Sequence, residues 1–135
     1  MSARTIYLSR LFGLFQLILA MAEVARRSAM VESAAEIVNA PALLLISGMM
    51  TLAAGLAVVL GHNVWRGGAM PVIVTVLGWV LLIKGTALLV IPPAGWAGML
   101  RASHYAEFYW GWVAIPLVLG AYLTWAGFSA REPRW

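Results

Sequence analysis

Apolar residues run through this chain in long unbroken blocks, not in alternation, and short polar or glycine-rich stretches divide them into four. The most uniform block, 70–91, is apolar or small throughout except for Lys84. A helix rises about 1.5 Å per residue, so such a block reaches across the roughly 30 Å hydrocarbon layer of a bilayer. The pattern predicts a membrane helix there and three more over about 3–25, 41–61 and 103–128. The expected fold is a single all-α transmembrane domain, an integral membrane four-helix bundle with a short interfacial helix before the second span.

The first block opens with Arg4 and Arg10 and closes on small residues, which is also the form of a cleavable secretory signal. A retained helix is favoured because Ser9, Gly13, Gln16, Ala20 and Glu23 recur at spacings of 4, 3, 4 and 3, gathering small and polar groups onto one stripe. Between residues 25 and 40 lies the longest polar stretch, with Arg26, Arg27, Glu32, Glu36 and Asn39. Ser33 and Glu36 read as a capping box, in which each side chain satisfies a backbone N–H at a helix start. A short interfacial helix is therefore expected over 33–39, with Pro41 opening the second span, where its missing N–H is unneeded. The alternative is one longer helix kinked at Pro41. Ser47, Gly48, Thr51, Ala54 and Gly55 form the expected packing face of that span.

Glycines at 61, 67 and 68 break the chain after the second span, with Trp65 and Arg66 as interface anchors. Pro92, Pro93, Gly95 and Gly98 predict a loop leading to residue 103. In the fourth span Tyr105, Phe108, Tyr109, Trp110 and Trp112 read as an aromatic belt at the entry, Tyr122 and Trp125 lie toward the exit, and Pro116 is expected to bend the helix midway.

Composition narrows the function classes. The residues are 63% hydrophobic and 10% charged, against roughly 45–50% and 25% in soluble domains, which excludes a soluble fold. The 135 residues leave no room for a separate soluble catalytic domain beside four spans. Without cysteine there is no disulfide, thiolate metal site or thiol nucleophile. A net charge of +4 does not point to nucleic acid, because the basic residues are scattered through loops and ends. The expected partners are the lipid bilayer and either a second copy or another membrane protein. Four spans would place Arg4, Arg10, Arg66, Arg131 and Arg134 on one side and Arg26, Arg27 and Arg101 on the other. That excess puts both termini in the cytoplasm of a cell whose inner membrane the chain crosses several times.

Lys84 is the outstanding candidate for chemistry. An ammonium at the middle of a bilayer costs on the order of 2.5–3.5 kcal/mol on insertion scales, and intramembrane ionisable groups often mark pathways. Glu23, Glu36 and Glu107 fall at the same end of the bundle, and Gln16 lies on the polar stripe, so an ion pair or polar pathway is possible. The alternative is that Lys84 snorkels to headgroups. His62 and His104 fall at opposite ends of the bundle, which argues against a metal or other cofactor. His62, Asn63 and Trp65 read instead as capping and interface residues. No catalytic residue stands out: the chain has no aspartate and no phosphate-binding glycine loop, and no enzymatic activity is expected.

The pattern Gly61-His62-Asn63-x-Trp65, Gly78-Trp79, Lys84-Gly85 and Pro92 resembles one found in small, uncharacterised four-helix proteins of bacterial inner membranes. It covers about a third of the chain. The resemblance implies that membrane and marks His62, Asn63, Trp65 and Lys84 for testing, but implies no mechanism. The expected role is an accessory or interaction protein; the alternative is a small oligomeric channel or transporter with a polar pathway around Lys84 and the outer carboxylates.

Overall fold

In a computed structural model, residues 2–131 are described. Arg134 and the rest of the tail, 132–135, lie outside the described residues, as does Met1. The elements are α1 (Ala3–Ala25), α2 (Arg27–Asn39), α3 (Pro41–Gly61), α4 (Ala69–Val90), α5 (Pro93–Ala102) and α6 (Tyr109–Ser129), with no strand among the described residues. Four of them, α1, α3, α4 and α6, are long and apolar enough to cross a membrane. The protein is an all-α, multi-pass membrane bundle, with the short helix α2 before the second span.

Local chemistry sets the ends. Ser2 Oγ accepts a hydrogen bond from the Thr5 backbone N–H at 3.2 Å and so caps α1. Pro41 opens α3 as expected. Three boundaries differ from the sequence pattern. The helix α2 begins at Arg27, directly after α1, so Ser33 and Glu36 lie inside it and no capping box forms. The run Ala29-Met30-Val31 is helix-compatible and half-buried, which carries the helix back to the single break at Arg26. A helix, α5, replaces the loop expected after Pro92, because Pro93 suits a first helical turn and Gly95 and Gly98 tolerate helix where α5 packs on α2. The fourth span consequently starts at Tyr109, not 103, and Pro116 lies within an unbroken α6. The intervening turn includes His104 in the left-handed region at φ 48°, with its N–H donating to the Arg101 carbonyl at 3.2 Å as a helix C-terminal turn requires.

The spans form two close pairs, α3 with α4 and α1 with α6, joined through α1 and α4. Both pairs are antiparallel: Gly48 faces Leu89 and Gly85 faces Leu52, while Gly13 faces Thr124 and Gly127 faces Arg10. Lipid supplies no hydrophobic force between helices, so backbones must approach closely for dispersion to hold them. Gly48 and Gly55 repeat at seven residues on α3, as do Gly78 and Gly85 on α4 and Gly120 and Gly127 on α6. A seven-residue repeat keeps one stripe facing an antiparallel partner along its length. Ser9, Gly13 and Ala20 of the predicted α1 stripe are buried, with Gln16 and Glu23 half-buried. On α3, Gly48 and Gly55 are buried and Ser47 and Thr51 half-buried, but Ala54 is exposed and lies off the packing face. Toward the end opposite α2 and α5, Ile6, Val58, Met70, Val74 and Leu123 make the apolar core where the two pairs meet.

Candidate functional site

Three polar features stand out on this frame. The first closes the α3–α4 connection. His62, buried just past α3, donates its backbone N–H to the Val58 carbonyl at 2.6 Å, and its Nε2 lies 3.3 Å from the Pro71 carbonyl oxygen. Thr75, fully buried one turn further along α4, accepts the Val64 N–H at 3.0 Å through Oγ1. That hydroxyl also lies 2.9 Å from the Val64 carbonyl and 3.0 Å from the Pro71 carbonyl, either of which can take its single proton. Asn63 Oδ1 accepts from Trp65 Nε1 at 2.7 Å and from Trp79 Nε1 at 3.4 Å. Gly78 leaves the space that Val58 fills. His62, Asn63, Trp65, Gly78 and Trp79, scattered along the sequence pattern, thus come together as a latch between α3 and α4. Replacing Thr75 with valine keeps the shape but leaves the part-buried Val64 amide without its acceptor. A loss of about 1–3 kcal/mol is expected, read as a lower unfolding midpoint in detergent, with Thr75→Ser close to wild type.

The second feature caps the other end. Tyr109 is fully buried and donates its hydroxyl to the Glu23 backbone carbonyl at 2.6 Å. The Arg27 guanidinium sits 5.6 Å from its ring centroid and donates to the Ala106 carbonyl at 2.9 Å. Tyr105 meets the same ring edge-on at 5.8 Å. Tyr109 is therefore a core residue and not part of the aromatic belt, whereas Phe108, Trp110, Trp112 and Trp125 are exposed as a belt requires. The Glu23 Oε2 atom is buried without a hydrogen-bond partner among the described residues. Glu36 is exposed on α2, and Glu107 lies 3.3 Å from His104 Nδ1 in an exposed pair.

The third feature is Lys84. Gly85 beside it is buried against α3, which turns Lys84 to the outside, on the same exposed face as Val80 and Ile83. Lys84 has no ion pair or hydrogen bond among the described residues, so it meets none of Glu23, Glu36 and Glu107. Arg10, also set well inside a span, behaves oppositely. Its Nε donates to the Gly127 carbonyl at 2.9 Å, in the last turn of α6 where carbonyls lack helical partners, and its guanidinium lies 5.0 Å from the Phe128 centroid. Reading the sequence missed Arg10 and Tyr109; the available signal was an arginine two turns into the first span and one tyrosine among many aromatics.

His62 and His104 stand at opposite ends of the bundle, and no three His, Cys, Asp or Glu side chains cluster in a metal-holding group among the described residues. Comparison with known proteins gives no matching family model, no matching curated protein and no matching solved structure.

Proposed function

We propose that the protein is a small, non-enzymatic component of a membrane assembly, which docks against another span through the outer face of α4. The observation that carries this reading is Lys84, exposed within α4 and without a partner among the described residues. Three other polar groups in the spans join one helix to another: Ser9 donates to the Leu123 carbonyl at 2.8 Å, Arg10 to Gly127 and Tyr109 to Glu23. The Lys84 Cα is six residues from the end of α4, or about 9 Å along the axis. Its stem can lift the ammonium toward the boundary, but it does so on the outer surface, where a carboxylate or free carbonyl of a neighbouring span removes the remaining cost. A polar pathway inside the bundle is less well supported. The seams are closed by glycine against backbone, and Lys84 stands apart from the carboxylates such a pathway would use.

The test is assembly of the Lys84→Met variant, followed by native mass spectrometry of protein extracted gently from its membrane. Because Lys84 touches no described polar group, the variant should keep wild-type helix content and unfolding midpoint. Its stoichiometric complex, with a second copy or with another membrane protein, should fall by about tenfold, corresponding to about 1.4 kcal/mol, while Lys84→Arg retains it. Unchanged assembly of Lys84→Met, together with lost solute flux in liposomes, would overturn the docking role and support a channel or transporter.

A further inference from the structure

The turn between α5 and α6 forms one side of a cavity of about 260 Å³ whose other walls come from α2 and α5. Val31 and Ala35 of α2 and Leu100 of α5 make its lining largely apolar. Two exposed groups of opposite charge, Arg101 and Glu107, border the same space. They form no ion pair with each other. The Arg101 side chain has no hydrogen bond or ion pair among the described residues, and that of Glu107 pairs through Oε2 with His104, which lines the same cavity. The second carboxylate oxygen of Glu107 remains open to another donor. Opposite charges that share a cavity without meeting suit a ligand that itself carries both signs.

Tyr105 also lines the wall. Burial, with smaller contributions from Tyr109 and Glu23, raises its pKa above the ordinary tyrosine value. The turn is fixed from below by Arg27, which holds the Ala106 carbonyl between Arg101 and Glu107. The cavity lies where α2 and α5 link the ends of the four span-length helices, the end at which a bilayer crossed by those helices would place its headgroups.

We propose that this cavity seats the phosphoethanolamine headgroup of a phospholipid, with the phosphate against Arg101, the primary ammonium against Glu107 and the glycerol end along the apolar wall. A simple anion would meet repulsion from Glu107. A choline headgroup would bring a cation without N–H donors, losing the charge-assisted hydrogen bonds that a primary ammonium gives a carboxylate. Soluble phosphoethanolamine has the same charges but nothing to place on Val31, Ala35 and Leu100.

The experiment is native mass spectrometry of the full chain exchanged into micelles containing equimolar phosphatidylethanolamine, phosphatidylglycerol and phosphatidylcholine. Retention of phosphatidylethanolamine about fivefold above each of the others is expected, the scale of about one kcal/mol of partly exposed charge contacts. Arg101→Gln should lower total retention of the phospholipid, and Glu107→Gln should remove the preference over phosphatidylglycerol. Both side chains are exposed, and circular dichroism checks that both variants fold. Equal retention of the three lipids by the wild type, or a preference untouched by both substitutions, would overturn the proposal. Soluble phosphoethanolamine binding as tightly as the lipid in lipid-free micelles would overturn the lipid source and leave a free zwitterion as the ligand.

Discussion

Alanine at Gly85 or Gly55 will weaken the bundle markedly, because the added methyl group meets backbone of the facing helix. A Cβ at Gly85 would fall on the backbone nitrogen and Cα of Leu52, and one at Gly55 on the backbone of Leu82. No change of rotamer moves a backbone atom, so the two helices must separate along their seam. Overpacking of this kind costs about 1–3 kcal/mol. It also loses dispersion contacts, which are most of what holds two helices together in lipid. The gain in helix propensity from glycine to alanine, up to about 1 kcal/mol, does not offset it. Gly111, also inside a span, provides the control, since nothing lies within 4 Å of a Cβ built there. Gly111→Ala should unfold in detergent at or slightly above the wild-type midpoint, while Gly85→Ala unfolds well below it. Equal midpoints for the two variants would mean that α3 and α4 do not meet as described.

Tyr109→Ala is the second change with a large expected effect. Its ring is fully buried and is bordered by Tyr105, Trp110 and Arg27, while its hydroxyl ties α6 to the end of α1. Removing a buried aromatic ring costs about 3–5 kcal/mol through lost burial and the cavity left behind. Tyr109→Phe removes only the hydrogen bond, worth about 1 kcal/mol. The alanine variant should show a sharply lower unfolding midpoint and faster protease cleavage in the 103–108 turn, which Arg27 and Tyr109 steady from beneath. The phenylalanine variant should show a small version of the first effect. If Tyr109→Ala matches wild type in both assays, the aromatic cluster does not hold this end of the bundle.

These two sites also mark how far the sequence could be read. Four spans follow from uninterrupted apolar length, a property that a bilayer imposes on any chain crossing it. The α1 stripe was visible because Ser9, Gly13 and Ala20 keep helical spacing, and the structure buries all three. The start of α2 and the existence of α5 were not visible. Ser33 and Glu36 carry the chemistry of a cap but sit in the middle of a helix, and Pro93, Gly95 and Gly98 carry the chemistry of a loop but are drawn into a helix that rests on α2. Both errors arise where tertiary packing overrides local preference. Tyr109 was hidden for another reason. Aromatic residues at a membrane boundary look alike in sequence, and only the pairing of α1 with α6 selects the one that turns inward. Lys84 was legible as a charge inside a span, but its direction was set by the Gly85 contact with α3.

That direction underlies the functional reading, and it can be tested inside the membrane. A photo-crosslinking amino acid placed at Val80 or Ile83, which share the exposed face of Lys84, should give one discrete protein adduct in native membranes. The same probe at Ile18, exposed on α1, should give lipid adducts alone. Combining the Ile83 probe with Lys84→Met should abolish the protein adduct. Lipid adducts alone from all three positions, or a protein adduct indifferent to Lys84→Met, would contradict docking through this face.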